Sequence, residues 1–226
     1  MKFDIRKITN EILDELSDYI TQQLSSLYPN PNASKNEDKL VIKHGLPLAI
    51  RRMKEIKRVA VPYDVNIFYT YHSMEYSTFL YIISNTIYLT NGNKHIELCD
   101  RLFLLNRSLN SIDLFYKNNM PPIFIIAHGL GCVIGNAEYG NNLIFFQNTT
   151  IGRVGNDSPK IGDNVIIYPN CVITGKTVIG SNCVISAGSI VHNRIVPDNS
   201  LVKFSGNEII LSPLNKNYLE HYFRGI

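Results

Sequence analysis

The chain has 226 residues, a formal net charge of +3 and a hydrophobic fraction of 45%. This length can bury a substantial core in one or two domains, and the scattered Lys and Arg residues argue against nucleic acid as the main partner. The charged N-terminus is unlike a signal peptide and no apolar run is long enough to span a bilayer, so we expect a cytoplasmic protein.

Residues 1–120 show helical periodicity. The apolar residues within 5–24 fall on one face and predict an amphipathic helix. Pro29 and Pro31 lie in 26–39, which is predicted to be a linker, and further helical patterns follow in 46–59, 74–89 and 96–109. Pro121 and Pro122 then start an extended chain. We expect a helical domain over 1–120 that packs on whatever follows it.

A period of six residues governs the chain after Pro122. Neither a helix nor a single strand has this period, so it belongs to a larger repeating unit. An insertion of four residues after Ile151 interrupts the register once. The apolar column is Val133, Tyr139, Phe145, Ile151, Ile161, Ile167, Ile173, Ile179, Ile185 and Val191.

Two further columns accompany the apolar one. Small side chains dominate two positions before it, and residues that tolerate a left-handed backbone dominate three positions after it. The pattern predicts short strands joined by corners, wound into a β-solenoid over 121–210, with a tail over 211–226. The predicted corner residues are Asn136, Asn142, Asn148, Asn164, Asn170, Lys176, Asn182, Gly188 and Arg194.

The four cysteines lack CxxC spacing, so we expect small buried thiols without disulfides. They are Cys99, Cys132, Cys171 and Cys183.

The segments "HGLGCVIGNAEYGNNLIFFQNTTIG", "PKIGDNV" and "ISAGSIV" resemble the hexapeptide-repeat acyltransferases, and within them the serine O-acetyltransferases. The resemblance extends over 126–197 and more loosely to 210. It implies an α+β protein in which an N-terminal helical domain precedes a left-handed parallel β-helix of hexapeptide repeats. It also implies acetyl-CoA as co-substrate, and a homotrimer or a dimer of trimers.

His128 is the sharpest catalytic candidate. It stands in "AHGLG" and matches the family's catalytic histidine, which implies a general base that deprotonates an acceptor hydroxyl for direct attack on the thioester. The alternative is a structural histidine that caps the first coil. By the same resemblance, Gly152 is a candidate oxyanion donor. Ala187, Gly188, Lys203 and Arg194 are candidates for binding coenzyme A, as is Lys176.

The acceptor site departs from the family pattern. Ala127 replaces the aspartate that usually precedes the catalytic histidine, and Ser158 stands where the family's loop carries a second histidine. These losses favour a sugar hydroxyl, for example in a surface-polysaccharide precursor, over free L-serine. His72 and Glu75 are candidate acceptor ligands, with local helix capping as the more conservative interpretation. Asp157 is a candidate for orienting His128 of a neighbouring subunit.

Three alternatives compete with this hypothesis. Serine O-acetylation in cysteine biosynthesis stays open, as does a non-catalytic scaffold, because a fold alone proves no chemistry. A metal enzyme of the γ-carbonic anhydrase type needs about three converging histidines, whereas the repeats hold only His128 and His192, out of phase with an 18-residue coil. No metal is therefore expected.

Overall fold

Four α-helices and one short two-stranded sheet form the N-terminal part of the protein. The structure is a computed structural model that describes residues 1–31, 35–206 and 208–225. Strands β1 (Lys2–Asp4) and β2 (Ile67–Tyr69) pair in antiparallel fashion, and a 3-10 turn at Gly92–His95 joins the last two helices. The helices are α1 (Asn10–Leu27), α2 (Lys35–Val59), α3 (Ser73–Asn91) and α4 (Ile96–Asn110).

Two predicted boundaries in this part are wrong. The first helix begins at Asn10, not at residue 5, because Thr9 caps it by accepting a hydrogen bond from the Ile12 amide at 3.3 Å. Residues 2–4, just before this segment, pair with β2. The predicted linker 26–39 is also too long. Helix α1 continues to Leu27 and α2 begins at Lys35 and passes through Pro47, so only 28–34 separate them. Within that linker, residues 32–34 lie outside the described residues.

Within the described residues of the second part there are fifteen strands, all but the last of them in parallel pairs. They form three sheets around one axis, so the predicted architecture of a helical domain followed by a parallel β-helix is confirmed. The first sheet holds β4 (Phe124–Ala127), β7 (Leu143–Phe146), β10 (Val165–Ile167), β13 (Cys183–Ile185), β16 (Ser200–Ser205) and β17 (Glu208–Pro213). The second holds β3 (Asp113–Leu114), β5 (Val133–Ile134), β8 (Thr150–Gly152), β11 (Val172–Thr174) and β14 (Ile190–His192). The third holds β6 (Glu138–Tyr139), β9 (Lys160–Ile161), β12 (Val178–Ile179) and β15 (Ile195–Val196).

The six-residue columns stack as expected along most of the β-helix. Ile151, Ile173 and Val191 pair in register and are fully buried, as are the small residues two positions before them, Thr149 and Cys171. All four cysteines are buried and free.

Asparagine side chains form a ladder along the corners. The Nδ2 of Asn142 donates to Oδ1 of Asn164 at 2.8 Å, and Asn164 donates to Asn182 at 2.9 Å. A second ladder joins Asn148 to Asn170 at 3.0 Å. All five residues have positive φ angles, so the corner column serves both the turn and the stacking of coils.

The predicted register fails at three corners. Val133 is 46% exposed, while its neighbour Ile134 pairs with Ile151 and is buried. The first coil is therefore one residue out of phase, and its predicted corner Asn136 has no positive φ. On a later corner Gly175 and Asn193 take the positive φ predicted for Lys176 and Arg194. The reason is that β11 and β14 end at Thr174 and His192, so the corner begins at the next residue, one position before the predicted column.

The C-terminal segment returns to the helical domain. Strand β17 extends to Pro213, so the predicted boundary at 210 falls inside the β16–β17 hairpin. Beyond it, the Tyr222 hydroxyl donates to that of Tyr168, and Phe223 is buried. The Arg224 guanidinium binds four main-chain carbonyls at the end of α2 and just beyond it, those of Lys57, Ala60, Val61 and Tyr63.

Within the described residues, none of the helices combines the length and apolarity that crossing a bilayer requires.

Two leucines of α2 offer a matched test of this packing. Leu46 is fully buried and Leu40 is 55% exposed. We expect Leu46→Ala to lower the free energy of unfolding by about 2–5 kcal/mol, because it leaves a cavity, and Leu40→Ala to change it by less than about 0.5 kcal/mol. Urea denaturation measures both. Equal effects would contradict the placement of α2.

Candidate functional site

His128 occupies a strained corner directly after β4. Its φ is +51°, a left-handed conformation that histidine adopts more readily than most side chains, and its side chain is exposed. The turn then closes through Gly131, whose φ is +71°, and a Cβ there would lie 2.3 Å from Oδ1 of Asn148. The imidazole is thereby projected from the first coil of the β-helix.

A small cavity of about 120 Å³ opens beside His128. The start of α3 and the end of α4 bring neutral polar groups to it from Ser73, Ser77 and Asn110. The hydroxyl of Ser77 and the amide of Asn110 are held by local hydrogen bonds, to the Met74 carbonyl and to Asn106. These lining residues carry no sequence signal, because no local motif indicates which end of a helix meets a later coil.

One coil below His128 lies a polar atom without a partner. Ala127 pairs with Phe146, so His128 and Gln147 are the next residues on adjacent strands. Oε1 of Gln147 and Oγ1 of Thr149 are the two buried side-chain polar atoms without a hydrogen bond in the described part of the chain. Buried polar atoms rarely stay unpaired, so Gln147 is a candidate for positioning a group at this corner.

The corner that carries His128 continues down the β-helix as one edge, which we call the histidine edge. It runs between the first and second sheets and holds Ala187, Gly188 and Lys203 on later coils, all exposed. The Gly188 amide donates to the Pro169 carbonyl of the coil above at 2.9 Å. Three strand spacings of about 4.8 Å put Ala187 about 14 Å from His128.

The opposite side of the second sheet is a different edge, which we call the loop edge. Gly152 ends β8 there, and an exposed loop over 153–157 follows, closed by reciprocal main-chain hydrogen bonds between Val154 and Asp157. Lys176 and Arg194 stand exposed on later coils of the same edge. A Cβ on Gly152 would meet nothing within 4 Å, so this position is open.

The two edges keep His128 and Gly152 apart within one chain. Asn148 lies on the histidine edge, and Gly152 follows it by four residues, or about 13 Å of extended chain. A hydrogen bond needs about 3 Å. A single chain therefore does not bring the predicted base and the predicted oxyanion donor to one reacting centre.

The two candidate acceptor residues of α3 have structural contacts. The His72 imidazole caps α3 by accepting from the Glu75 amide at 3.3 Å. The Glu75 carboxylate is 3% exposed and pairs with Lys57 at 2.5 Å, while also accepting from the Tyr69 amide at 3.2 Å. Neither residue lines the cavity beside His128.

The thiol nearest to this corner is not reactive at neutral pH. Burial raises the pKa of Cys132 to about 11 and that of Cys171 to about 11. Among the described residues no group of three or more His, Cys, Asp or Glu side chains is arranged to hold a metal ion. His128 and His192 lie on different edges of the second sheet.

Comparison with known proteins supports the resemblance found in the sequence. Residues 158–193 match the family model for the bacterial transferase hexapeptide (six repeats). A serine acetyltransferase of Synechococcus elongatus is 30% identical over 122 residues, which is 52% of this chain and 50% of that protein. The chain thus spans about half the length of the curated relatives it matches.

Two further similarities bear on the site. The "Putative colanic acid biosynthesis acetyltransferase WcaB" of Escherichia coli K12 is 40% identical over 83 residues, which is 35% of this chain and 51% of that protein. A solved serine acetyltransferase in complex with CoA aligns with a TM-score of 0.67 and 21% identity, covering 86% of this chain and 83% of that one. This structural similarity extends the shared fold to the helical domain.

Charge removal at Glu75 tests its structural role. We expect Glu75→Gln to lower the free energy of unfolding by about 3–5 kcal/mol, because it leaves the fully buried Lys57 ammonium without its counter-charge, and the addition of Lys57→Met to restore part of the loss. Urea denaturation measures these changes. The control is Glu55→Gln, which removes an exposed partner of Arg58 and should cost less than about 1 kcal/mol. Unchanged stability with a raised KM for the acceptor would instead assign Glu75 to acceptor binding.

Proposed function

We propose that the protein is an acetyl-CoA-dependent O-acetyltransferase of the serine acetyltransferase type. The observation that carries the proposal is the placement of His128, in a strained corner at the mouth of a small polar cavity, on a β-helix similar to that of known acetyltransferases. A left-handed residue at this corner could serve the turn alone, but an exposed imidazole that lines a cavity is what catalysis requires. The proposal therefore favours catalysis over the scaffold alternative.

His128 acts as the general base in this mechanism. Its neutral imidazole accepts the proton of the acceptor hydroxyl while the oxygen attacks the thioester carbonyl of acetyl-CoA. The tetrahedral intermediate then expels the CoA thiolate, which takes the proton back from the imidazolium. The products are the O-acetyl ester and CoA. No cysteine nucleophile is needed, in agreement with the raised pKa of Cys132.

The complete site forms between two copies of the chain. Space beside Gly152 is open to a ligand, and its main-chain amide from one copy would stabilise the oxyanion beside His128 of the next, a contribution of about 3–4 kcal/mol. The same contact would bring the exposed loop with Asp157 over His128. Each chain carries both edges, so the contact is head-to-tail and closes into a ring. The homotrimer, or dimer of trimers, that the family resemblance implies is a ring of this kind.

The face between the two edges supports this assembly. Strands β5, β8, β11 and β14 align Val133, Thr150, Val172 and Ile190 in one outward column, and Val133 and Ile190 are each 46% exposed. An apolar column of this kind gains free energy when a second copy covers it.

Coenzyme A would lie in the groove between the histidine edge of one copy and the loop edge of the next. From the histidine edge come Ala187, Gly188 and Lys203, and from the loop edge Arg194 and Lys176. Main-chain groups would bind the pantetheine arm, and the cations would bind the nucleotide phosphates. The similarity to a serine acetyltransferase in complex with CoA supports this donor.

L-Serine is the first candidate acceptor. Relatives named serine acetyltransferase support it, and the cavity of about 120 Å³ suits a compact molecule. The sequence analysis favoured a sugar, and one observation keeps that second candidate: the polar lining from Ser73, Ser77 and Asn110 is neutral and offers an amino acid no charge partner. The similarity to the Escherichia coli protein is in line with this alternative. The cytoplasmic location stays a prediction.

Removal of the base tests the mechanism. We expect His128→Ala to lower kcat by roughly 10²–10⁴ with little change in CoA affinity, because the imidazole acts on the acceptor proton and not on the nucleotide. CoA release from acetyl-CoA measures the rate, with L-serine beside a panel of sugars and nucleotide sugars.

His44→Ala is the matched control, since His44 is exposed on α2 away from this cavity, and it should leave kcat unchanged. An unaltered rate for His128→Ala would reject the base. Turnover with sugars but not with L-serine would select the second acceptor. CoA binding without turnover of any acceptor would contradict both acceptors, and absence of CoA binding would favour a scaffold.

Mixed assemblies test whether the site is shared. Gly152→Val blocks the groove without a clash inside its own chain, since the position is open. His128→Ala and Gly152→Val chains should each be nearly inactive alone. After co-expression about one quarter of wild-type activity should return, because one contact in four then joins an intact His128 to an intact Gly152. Mass spectrometry verifies that the assemblies are mixed. Mixed assemblies with no more activity than either variant alone would contradict a shared site.

A further inference from the structure

A second cavity lies at the corner between the third and first sheets of the β-helix, whereas His128 lies between the first and second. It has a volume of about 550 Å³ and separates α2 and the later part of α3 from the first coils of the β-helix. Its size is that of an ordinary small-molecule site. None of the residues that line the His128 cavity lines this one.

Arg52 is the unusual group in this cavity. Its guanidinium donates through one terminal nitrogen to Oγ1 of Thr86 at 2.8 Å and, weakly, to the Ile82 carbonyl at 3.4 Å. Among the described residues it forms no ion pair, although it is partly buried; desolvation lowers its pKa, and a hydrogen bond with the Tyr81 side chain acts in the opposite direction. The buried cations differ, since Lys57 pairs with Glu75 at 2.5 Å and Arg101 with Asp38 at 2.6 Å.

A partly desolvated arginine without an ion-pair partner is costly, so an anion that enters the cavity would gain a fork-shaped, positively charged partner. The remaining wall restricts which anion fits. Ile56, Ile82 and Phe124 supply buried apolar surface, which favours an aliphatic or aromatic body. Glu55 and Asp163 also line the cavity, and their charges disfavour phosphates and other multiply charged anions.

We infer that this cavity binds a small organic monocarboxylate with an apolar body, its carboxylate paired with Arg52. The inference does not depend on the proposed function, because it uses neither His128 nor the donor groove. The cavity also contacts Met120, Pro121 and Pro122, the segment that leads into β4 and so to His128. A ligand here would therefore contact the segment that leads to His128 without contacting His128 itself.

Calorimetric titration of the intact protein tests the inference. The probes are 4-methylpentanoate and 3-phenylpropanoate, each compared with its neutral amide, and inorganic phosphate. We expect at least one acid to bind with a Kd below about 10 mM, and its amide and phosphate to bind at least about tenfold more weakly.

Two variants of α2 and one of α3 test the role of Arg52. Arg52→Met keeps the apolar stem and removes the charge, and should weaken the acid at least about tenfold. Arg51→Met removes an exposed neighbouring charge and should bind as the wild type does. If Arg52→Met fails to fold, Leu89→Trp narrows the cavity from an exposed position and should also weaken binding.

Three results would overturn the inference. They are the absence of saturable binding for both acids, equal binding of acid and amide, and undiminished binding in the folded Arg52→Met or Leu89→Trp variant. Stronger binding of phosphate would also overturn it, since the assigned ligand is a monocarboxylate.

Discussion

Every coil of this β-helix must turn three corners and still present its strands to the next coil for hydrogen bonding. Positive φ angles at the corners meet the first demand, and stacked asparagine amides meet part of the second, as in the chain of Asn142, Asn164 and Asn182. Because the main-chain hydrogen bonds run between coils, an error at one corner would displace all strands below it. The corners therefore fix the geometry on which the rest of the structure depends.

The same constraint explains how the His128 side chain becomes exposed. His128 lies on the histidine edge of the first coil, next to Gln147 of the second coil. Its corner directs the imidazole outward from the top of the β-helix. The first coil has no coil above it. The ends of α3 and α4 cover it instead and thereby complete a cavity beside His128, while the C-terminal segment joins the far end back to α2 through Arg224. The helical domain is thus a cap for the solenoid and one wall of the site.

The period of six made the β-helix predictable, because it repeats over many units and fits neither a helix nor a single strand. The predicted phase is wrong at Val133, where the first coil is one residue short, and at Arg194, where the strand ends one residue before the predicted column. The glycine setting of His128 and its resemblance to a known motif selected it as a candidate, and its role as base stays a prediction. The burial of Glu75 against Lys57 was not, since the ion pair joins residues 18 positions apart on two helices and depends on tertiary packing. For the same reason Ser73, Ser77 and Asn110 had no sequence signal.

The division of the site between two edges is the central claim, and a crystal structure of the protein with bound coenzyme A tests it most directly. The account predicts a ring of three chains in which the CoA sulfur lies between His128 of one protomer and the Gly152 amide of its neighbour. CoA held by a single chain, or bound away from both residues, would contradict it.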